Sequence, residues 1–152
     1  MKKENPVKHL ALAFAIALVL YVASFAWIEN RRTHNGPWQV NFTNETGIPT
    51  LIIDEPKLNV SAVRINFPGQ SPSATNAVIS FTAGREVPFD LPFGQCVFMD
   101  PTFQPGTLVF AVFGHEIQLI PRVLTIDKKE YAWKSGMTMS VTNPPRSVGG
   151  RK

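Results

Sequence analysis

Few residues in this 152-residue sequence are of the types that catalyse reactions or bind metal ions. His115 is the only histidine after residue 34, and Cys96 is the only cysteine in the chain. A nucleophile–histidine pair would therefore have to be built around His115, with Cys96 or a serine as its partner. Because His115 follows Gly114 between two apolar runs, the pattern predicts that it lies in a hairpin turn, where a histidine is exposed to solvent.

A set of soft metal ligands is also present. Cys96, Met99, His115 and the pair Met137/Met139 are donors of the kind that copper(I) prefers. A simpler interpretation is that these residues fill the core, because Met137 and Met139 share one face of a strand and a free cysteine behaves as a small apolar residue. Strict alternation also predicts that Cys96 and Met99 point to opposite faces of a buried strand. We assign no catalytic, cofactor-binding or metal-binding residue from the sequence, and keep a membrane-tethered copper-handling domain as an alternative.

Aromatic residues are the remaining candidates for ligand contacts. Tyr131 and Trp133 share a face beside Lys134, an arrangement that stacks on a flat ligand. Three phenylalanines in or near loops could form an exposed patch: Phe93, Phe98 and Phe103. A domain of about 115 residues needs large side chains to exclude water, so core filling is the default interpretation for most aromatic residues.

From Trp38 onward, apolar and polar residues alternate with a period of two, which is typical of half-buried strands. The phase changes near Ser61 and Ala62, which predicts a β-bulge there. Two prolines on one face of segment 87–93 predict an edge strand or an extended crossing segment, and the run Leu108–Phe113 predicts a central strand covered on both faces. The segment Asp127–Glu130 is expected to be a polar turn. The fold class predicted is all-β, an antiparallel β-sandwich or small barrel, from about ten short strands: 38–43, 51–53, 63–67, 77–82, 87–93, 96–99, 108–113, 116–120, 123–126 and 137–142.

One apolar segment precedes the strands. Nineteen residues from Leu10 to Ile28 carry no charge, and a helix of this length is close to the thickness of the hydrocarbon core of a bilayer. Tyr21 and Trp27 lie toward its C-terminal end, as expected at a membrane interface. The alternative is a cleaved signal peptide, although the apolar run is longer than the usual signal core. The segment therefore predicts a transmembrane signal anchor.

The charge distribution limits the classes of partner. The net charge is +4, yet residues 29–143 hold nine Lys or Arg against ten Asp or Glu, so the basic excess belongs to the two ends. A nucleic-acid-binding domain carries its basic excess on a folded face, so we expect no nucleic-acid partner. Lys2, Lys3 and Lys8 before the apolar segment favour a cytoplasmic N-terminus under the positive-inside rule.

These observations predict the following organisation: a short basic segment at 1–9, a transmembrane helix at 10–28, a polar spacer at 29–37, a β-sandwich domain at 38–143 and a flexible basic tail at 144–152. We expect a single-pass protein of the bacterial inner membrane, with its C-terminal domain periplasmic or extracellular. The expected function is a non-enzymatic accessory or binding module of the cell envelope, in contact with the bilayer through Leu10–Ile28 and with a membrane or envelope protein. The alternatives are copper handling and an enzyme of unknown reaction, and the enzyme requires that His115 faces a pocket with a carboxylate or thiol within hydrogen-bond reach.

Overall fold

The computed structural model of the chain describes residues 6–32, 34–71 and 76–142, which form two compact units that divide between His34 and Asn35. The predicted basic tail at 144–152 and the first five residues of the predicted N-terminal segment lie outside the described residues. The first unit is helical and the second contains all the described strands. An all-β sandwich preceded by one N-terminal helix is therefore confirmed.

The helical unit consists of α1, Pro6–Arg32, with 27 residues. Proline is favoured in the first turn of a helix because its missing N–H has no intrahelical partner there, and Arg31 and Arg32 complement the negative end of the helix dipole. At 1.5 Å per residue the helix is about 40 Å long. It extends through the first four residues of the predicted spacer, and none of its residues is buried.

Eleven strands of the described residues form two sheets. The first sheet has the order β11-β3-β2-β1-β4 and contains β1 (Gln39–Glu45), β2 (Ile48–Glu55), β3 (Val60–Asn66), β4 (Ala77–Ser80) and β11 (Thr138–Ser140). The second has the order β10-β9-β8-β7-β6-β5 and contains β5 (Phe89–Leu91), β6 (Gly94–Asp100), β7 (Thr107–Val112), β8 (His115–Ile120), β9 (Val123–Ile126) and β10 (Lys129–Tyr131). The pairing is antiparallel except between β11 and β3.

The core lies between the inner faces of the two sheets. Alternation along each strand directs every second apolar side chain inward, as in Val40 and Phe42 of β1 and Leu108 and Phe110 of β7. Burial of each such side chain contributes about 1.5–3 kcal/mol. Trp38 is fully buried just before β1, and its indole Nε1 donates a hydrogen bond to the carbonyl of Gly106 at 3.0 Å.

Two-residue turns with positive φ connect several strands. Phe113 and Gly114 form one such turn, with φ values of 50° and 82°, and this places His115 in β8. The prediction that His115 is an exposed turn residue is therefore wrong: His115 is buried. Asp127 and Lys128 form a second turn with φ values of 49° and 68°. The predicted polar turn at 127–130 is thus shorter than expected, because β10 begins at Lys129.

Two β-bulges change which side chains face the core. In the first, Ile53 pairs with Val63 and Glu55 with Val60, which confirms the predicted bulge at Ser61 and Ala62. The second was not predicted.

In this second bulge Cys96 pairs with Phe110 and Phe98 with Val109, so β6 holds one residue more than β7. Met99 then pairs with the buried Leu108 and lies on the same face as Cys96. The prediction that Cys96 and Met99 lie on opposite faces of a fully buried strand is wrong, because the bulge interrupts the alternation.

The two predictions about strand position have different outcomes. β5 lies at the edge of the second sheet, as the two prolines predicted, and β7 is central, between β6 and β8. However, Val109 is half-buried and Ala111 exposed on the outer face of β7. Among residues 6–32, 34–71 and 76–142, complete cover of β7 is therefore observed on its inner face, whereas its outer face is only partly covered.

Candidate functional site

His115 is the first residue of β8 and lies on its inner face, together with Ile117 and Leu119. Its position follows from the two-residue turn before it, which pairs His115 with Val112 of β7. The centroid of its ring lies 6.2 Å from that of Phe67, in the opposite sheet. The imidazole is therefore enclosed by apolar groups at one end of the sandwich.

Asp127 supplies the polar partner of this histidine. The distance between Nδ1 of His115 and Oδ2 of Asp127 is 2.6 Å, and the other carboxylate oxygen accepts a hydrogen bond from the backbone N–H of Glu116 at 3.0 Å. The Asp127 N–H in turn donates to the Glu116 carbonyl at 2.9 Å. Two donors and the backbone pairing thus hold the carboxylate in one orientation.

The partner of Nδ1 constrains the tautomer of the ring, because beside an ionised carboxylate, which has acceptors only, Nδ1 carries the hydrogen. In the neutral imidazole Nε2 then has the free lone pair, which is the arrangement of a general base oriented by a carboxylate. The side chain of His115 is 1% exposed and that of Asp127 is 25% exposed, so the carboxylate is the member of the pair that solvent reaches.

A groove of about 320 Å³ adjoins Asp127 on the open side of the sandwich, between the edge strands β10 and β11. Its walls present a carboxylate, an ammonium group, a phenol and two hydroxyls, from Asp127, Lys129, Tyr131, Ser140 and Thr142. The volume is at the lower end of the range for ligand sites. The groove is suited to a small polar ligand or to a short extended peptide segment.

The candidate copper ligands lie in different places. Cys96 is on the inner face of β6, and its Sγ donates to the carbonyl of Phe98 at 3.3 Å. His115 lies two strands away from Cys96 and is displaced from it by two residues along the strand direction. The Cα atoms of Cys96 and His115 are therefore roughly 12 Å apart. Met137 and Met139 pack against the core from the edge of the first sheet. The structure therefore does not bring Cys96 and His115 within reach of one ion.

The cysteine itself is enclosed. Burial raises the pKa of the Cys96 thiol above its usual value, although hydrogen bonds with the backbone of Phe98 and Val109 oppose the shift. Within residues 6–32, 34–71 and 76–142, no group of three or more His, Cys, Asp or Glu side chains is arranged to hold a metal ion.

The aromatic candidates divide between the core and the surface. Trp133 packs on Trp38 with ring centroids 5.1 Å apart and donates from Nε1 to the Ile120 carbonyl, so it closes one end of the sandwich. Tyr131 lines the groove. Of the three predicted surface phenylalanines, Phe93 is buried, whereas Phe98 and Phe103 are exposed.

Asp127 was not predicted as a partner of His115. The signal that could have revealed it is the β8–β9 hairpin, whose turn is Pro121-Arg122. Ile120 pairs with Val123 and Ile117 with Ile126, so continuing the register places Glu116 opposite Asp127. A correct assignment of this turn would have brought Asp127 next to the start of β8.

Comparison with protein-family models, with curated proteins and with solved structures gives no match.

Proposed function

We propose that this protein is a single-pass membrane protein that displays a β-sandwich outside the cytoplasm of a bacterial cell, as a non-enzymatic accessory or binding module of the envelope. The observation that carries the proposal is α1. This helix is long and apolar enough to cross a bilayer, and the described part of the chain buries none of its residues. A lipid environment would remove from water the apolar surface that the protein leaves exposed.

The composition of the two ends of α1 supports a membrane location. The apolar part ends at Trp27 and Ile28, and Arg31 places its guanidinium 5.0 Å from the centre of the Trp27 ring. Indole rings and basic side chains are favoured at the interface between hydrocarbon and headgroups. A helix also satisfies all of its backbone hydrogen bonds internally, as a segment inside hydrocarbon requires.

The orientation is inferred from charge. Lys2, Lys3 and Lys8 precede the apolar segment, and the positive-inside rule favours retaining such a flank in the cytoplasm. The β-sandwich would then lie on the periplasmic or extracellular side. Restriction to a layer next to the membrane raises the effective concentration of the domain for a partner held in the same membrane. The groove beside Asp127 is a candidate contact for that partner.

The experiment that tests the proposal follows the full-length protein in its native membranes. We expect the protein to resist extraction by alkaline carbonate, to keep its N-terminal residues by intact-mass measurement, and to lose the domain to protease added to spheroplasts. A domain released into the soluble fraction and lacking residues before 30 would instead show a cleaved signal peptide. Protection of the domain in intact spheroplasts, with digestion after lysis, would contradict the orientation.

An enzyme is the second candidate, because a carboxylate, that of Asp127, lies within hydrogen-bond reach of His115, although His115 is buried and does not line the groove beside Asp127. Among the described residues, Asp127 is the side chain that hydrogen-bonds to this ring. A fluorophosphonate probe tests the hydroxyl-nucleophile form of this candidate on the purified protein. Stoichiometric labelling of one serine that is lost in His115→Gln would favour the enzyme, and the absence of labelling would remove this form of it.

A further inference from the structure

The β-sandwich unit exposes four large hydrophobic side chains among its described residues, and three of them lie within seven positions of one another. Val97 is 41% exposed, Phe98 48% and Phe103 57%. We call these three residues the β6 patch. All three belong to β6 or to the loop that follows it, and exposed hydrophobic side chains grouped in one segment are typical of sites that contact a partner or a membrane.

The bulge in β6 produces part of this patch. Because the bulge adds one residue to β6, Phe98 pairs with Val109 on the outer face of the sheet, while Cys96 and Met99 remain on the inner face. Regular alternation would have turned Phe98 to the same side as Cys96, into the core. The local geometry therefore directs a phenylalanine outward that a regular strand would bury.

The loop after β6 lies at the end of the sandwich where the chain enters from α1. Trp38, the last residue before β1, donates from its indole to the carbonyl of Gly106 in this loop. Gln104 of the same loop donates to the carbonyl of Thr82 at 3.1 Å, next to the C-terminal end of β4, which pairs with the start of β1. Phe103 therefore projects from the chain-entry end of the domain.

The tether is short. Six peptide steps separate Arg32, the last residue of α1, from the buried Trp38, and a fully extended chain covers at most about 22 Å in that number of steps. Exposed basic residues also outnumber exposed acidic ones at this end, where Lys57, Arg85, Arg122 and Lys134 accompany Glu86 and Asp100. A bilayer that holds α1 is thus within reach of the β6 patch.

We propose that the β6 patch contacts the surface of the bilayer in which α1 is embedded, with Phe98 and Phe103 in the interfacial layer. Aromatic and aliphatic side chains of membrane-surface proteins enter the boundary between headgroups and acyl chains, and nearby basic residues add attraction to anionic lipids. This contact rests on the membrane anchor of the proposed function. It adds a second attachment that fixes which end of the domain faces the lipid.

The test places a nitroxide spin label on the full-length protein in vesicles of phosphatidylcholine and phosphatidylglycerol. Phe103→Cys is labelled in a Cys96→Ala background, and Ser71→Cys is the matched control. Ser71 is exposed in the connection between β3 and β4, at the opposite end of the sandwich. The collision rates of each label with oxygen, which concentrates in lipid, and with a water-soluble nickel chelate are then measured.

We expect oxygen collisions to exceed nickel collisions several-fold at position 103 and the reverse at position 71. A label at 103 that the nickel chelate reaches as well as it reaches 71 would overturn the lipid contact. A label shielded from both reagents would overturn it in favour of a protein contact. Vesicle flotation distinguishes failure of the membrane anchor from failure of the lipid contact. Protein that floats with the vesicles but carries a water-exposed label at position 103 refutes the lipid contact alone. Protein that does not float refutes both the anchor and the lipid contact.

Discussion

The chemistry of Cys96 is altered by its position in the core. Burial raises the pKa of its thiol, so the reactive thiolate forms at higher pH in the folded protein than in the unfolded chain. We expect the native protein to react with a thiol reagent such as DTNB far more slowly than after denaturation, and the pH profile of native labelling to be displaced upward. Ser71→Cys in a Cys96→Ala background, an exposed thiol, provides the control for reagent access.

Rapid stoichiometric labelling of native Cys96 near neutral pH would contradict this prediction. It would also restore Cys96 as a candidate metal ligand, because an accessible thiolate is what copper binding needs.

His115 and Asp127 support a second prediction at the residue scale. Asp127→Asn removes the charge from a hydrogen bond to a buried ring, and bonds of this type contribute about 1.5–3 kcal/mol. We expect Asp127→Asn and His115→Ala each to lower the free energy of unfolding, and the double variant to lose less than the sum of the two. Urea denaturation of the full chain in detergent measures all four corners of this cycle.

Asp90→Asn is the matched control, because Asp90 also bonds to a side chain, Gln95, but in an exposed position. Its free energy of unfolding should stay within about 0.5 kcal/mol of that of the unmodified protein. If the free energy of unfolding lost in the double variant equals the sum of the losses in His115→Ala and Asp127→Asn, the hydrogen bond between the two side chains contributes little coupling energy.

At the scale of elements, the period-two pattern predicted the strands well because half-buried strands need it. Trp38–Thr43 and Val63–Phe67 correspond closely to β1 and β3, and the prolines around 89–91 identified an edge strand. The position of a turn was harder to predict, because a shift of one residue in a two-residue turn exchanges the faces of a strand. His115 was misplaced for this reason, although its identity as the sole histidine of the domain was plain from the sequence.

Long-range pairing accounts for the other differences between prediction and structure. The bulge in β6 depends on the pairing of Cys96 with Phe110 and of Phe98 with Val109. The sequence of β6 alone does not reveal this pairing. The contact between His115 and Asp127 likewise joins two turns through the register of β8 and β9. Neither feature follows from local propensity, so the candidate site was less predictable than the fold.

Close pairing of β6 with β7 gives a prediction for Gly94. A Cβ at this position would lie 2.0 Å from the Ala111 carbonyl oxygen, which is backbone and cannot rotate away. We expect Gly94→Ala to lower the free energy of unfolding by about 3 kcal/mol, at the upper end of the usual range for single substitutions. Gly47→Ala is the comparison, since a Cβ there meets nothing within 4 Å and the cost is limited to its positive φ of 84°.

Thermal unfolding of the two glycine variants, followed by circular dichroism, measures this difference. Equal losses for Gly94→Ala and Gly47→Ala would show that β6 and β7 separate readily, and would also weaken the assignment of the bulge that follows Gly94.

At the scale of the whole molecule, the two ends of the sandwich have different characters. The chain enters at the end closed by Trp38 and Trp133, where Phe103 is exposed. His115 and Asp127 lie at the other end, because β8 runs from His115 to Ile120, whose carbonyl accepts the indole hydrogen of Trp133. A domain tethered and attached to lipid at the first end would present the groove beside Asp127 away from the membrane, where a partner can reach it.

The independence of the two units gives the last prediction. The core of the sandwich is built from residues between Trp38 and Ile126, and α1 contributes no buried side chain to it. Removal of residues 1–34 should therefore leave a folded domain whose thermal midpoint matches that of the full chain, while its binding to vesicles drops sharply. Trp38→Ala in the truncated chain is the positive control, because loss of a large buried aromatic side chain costs about 3–5 kcal/mol. A truncated chain without a cooperative unfolding transition would mean that α1 contributes to folding. It would contradict the prediction that the β-sandwich folds without the helix.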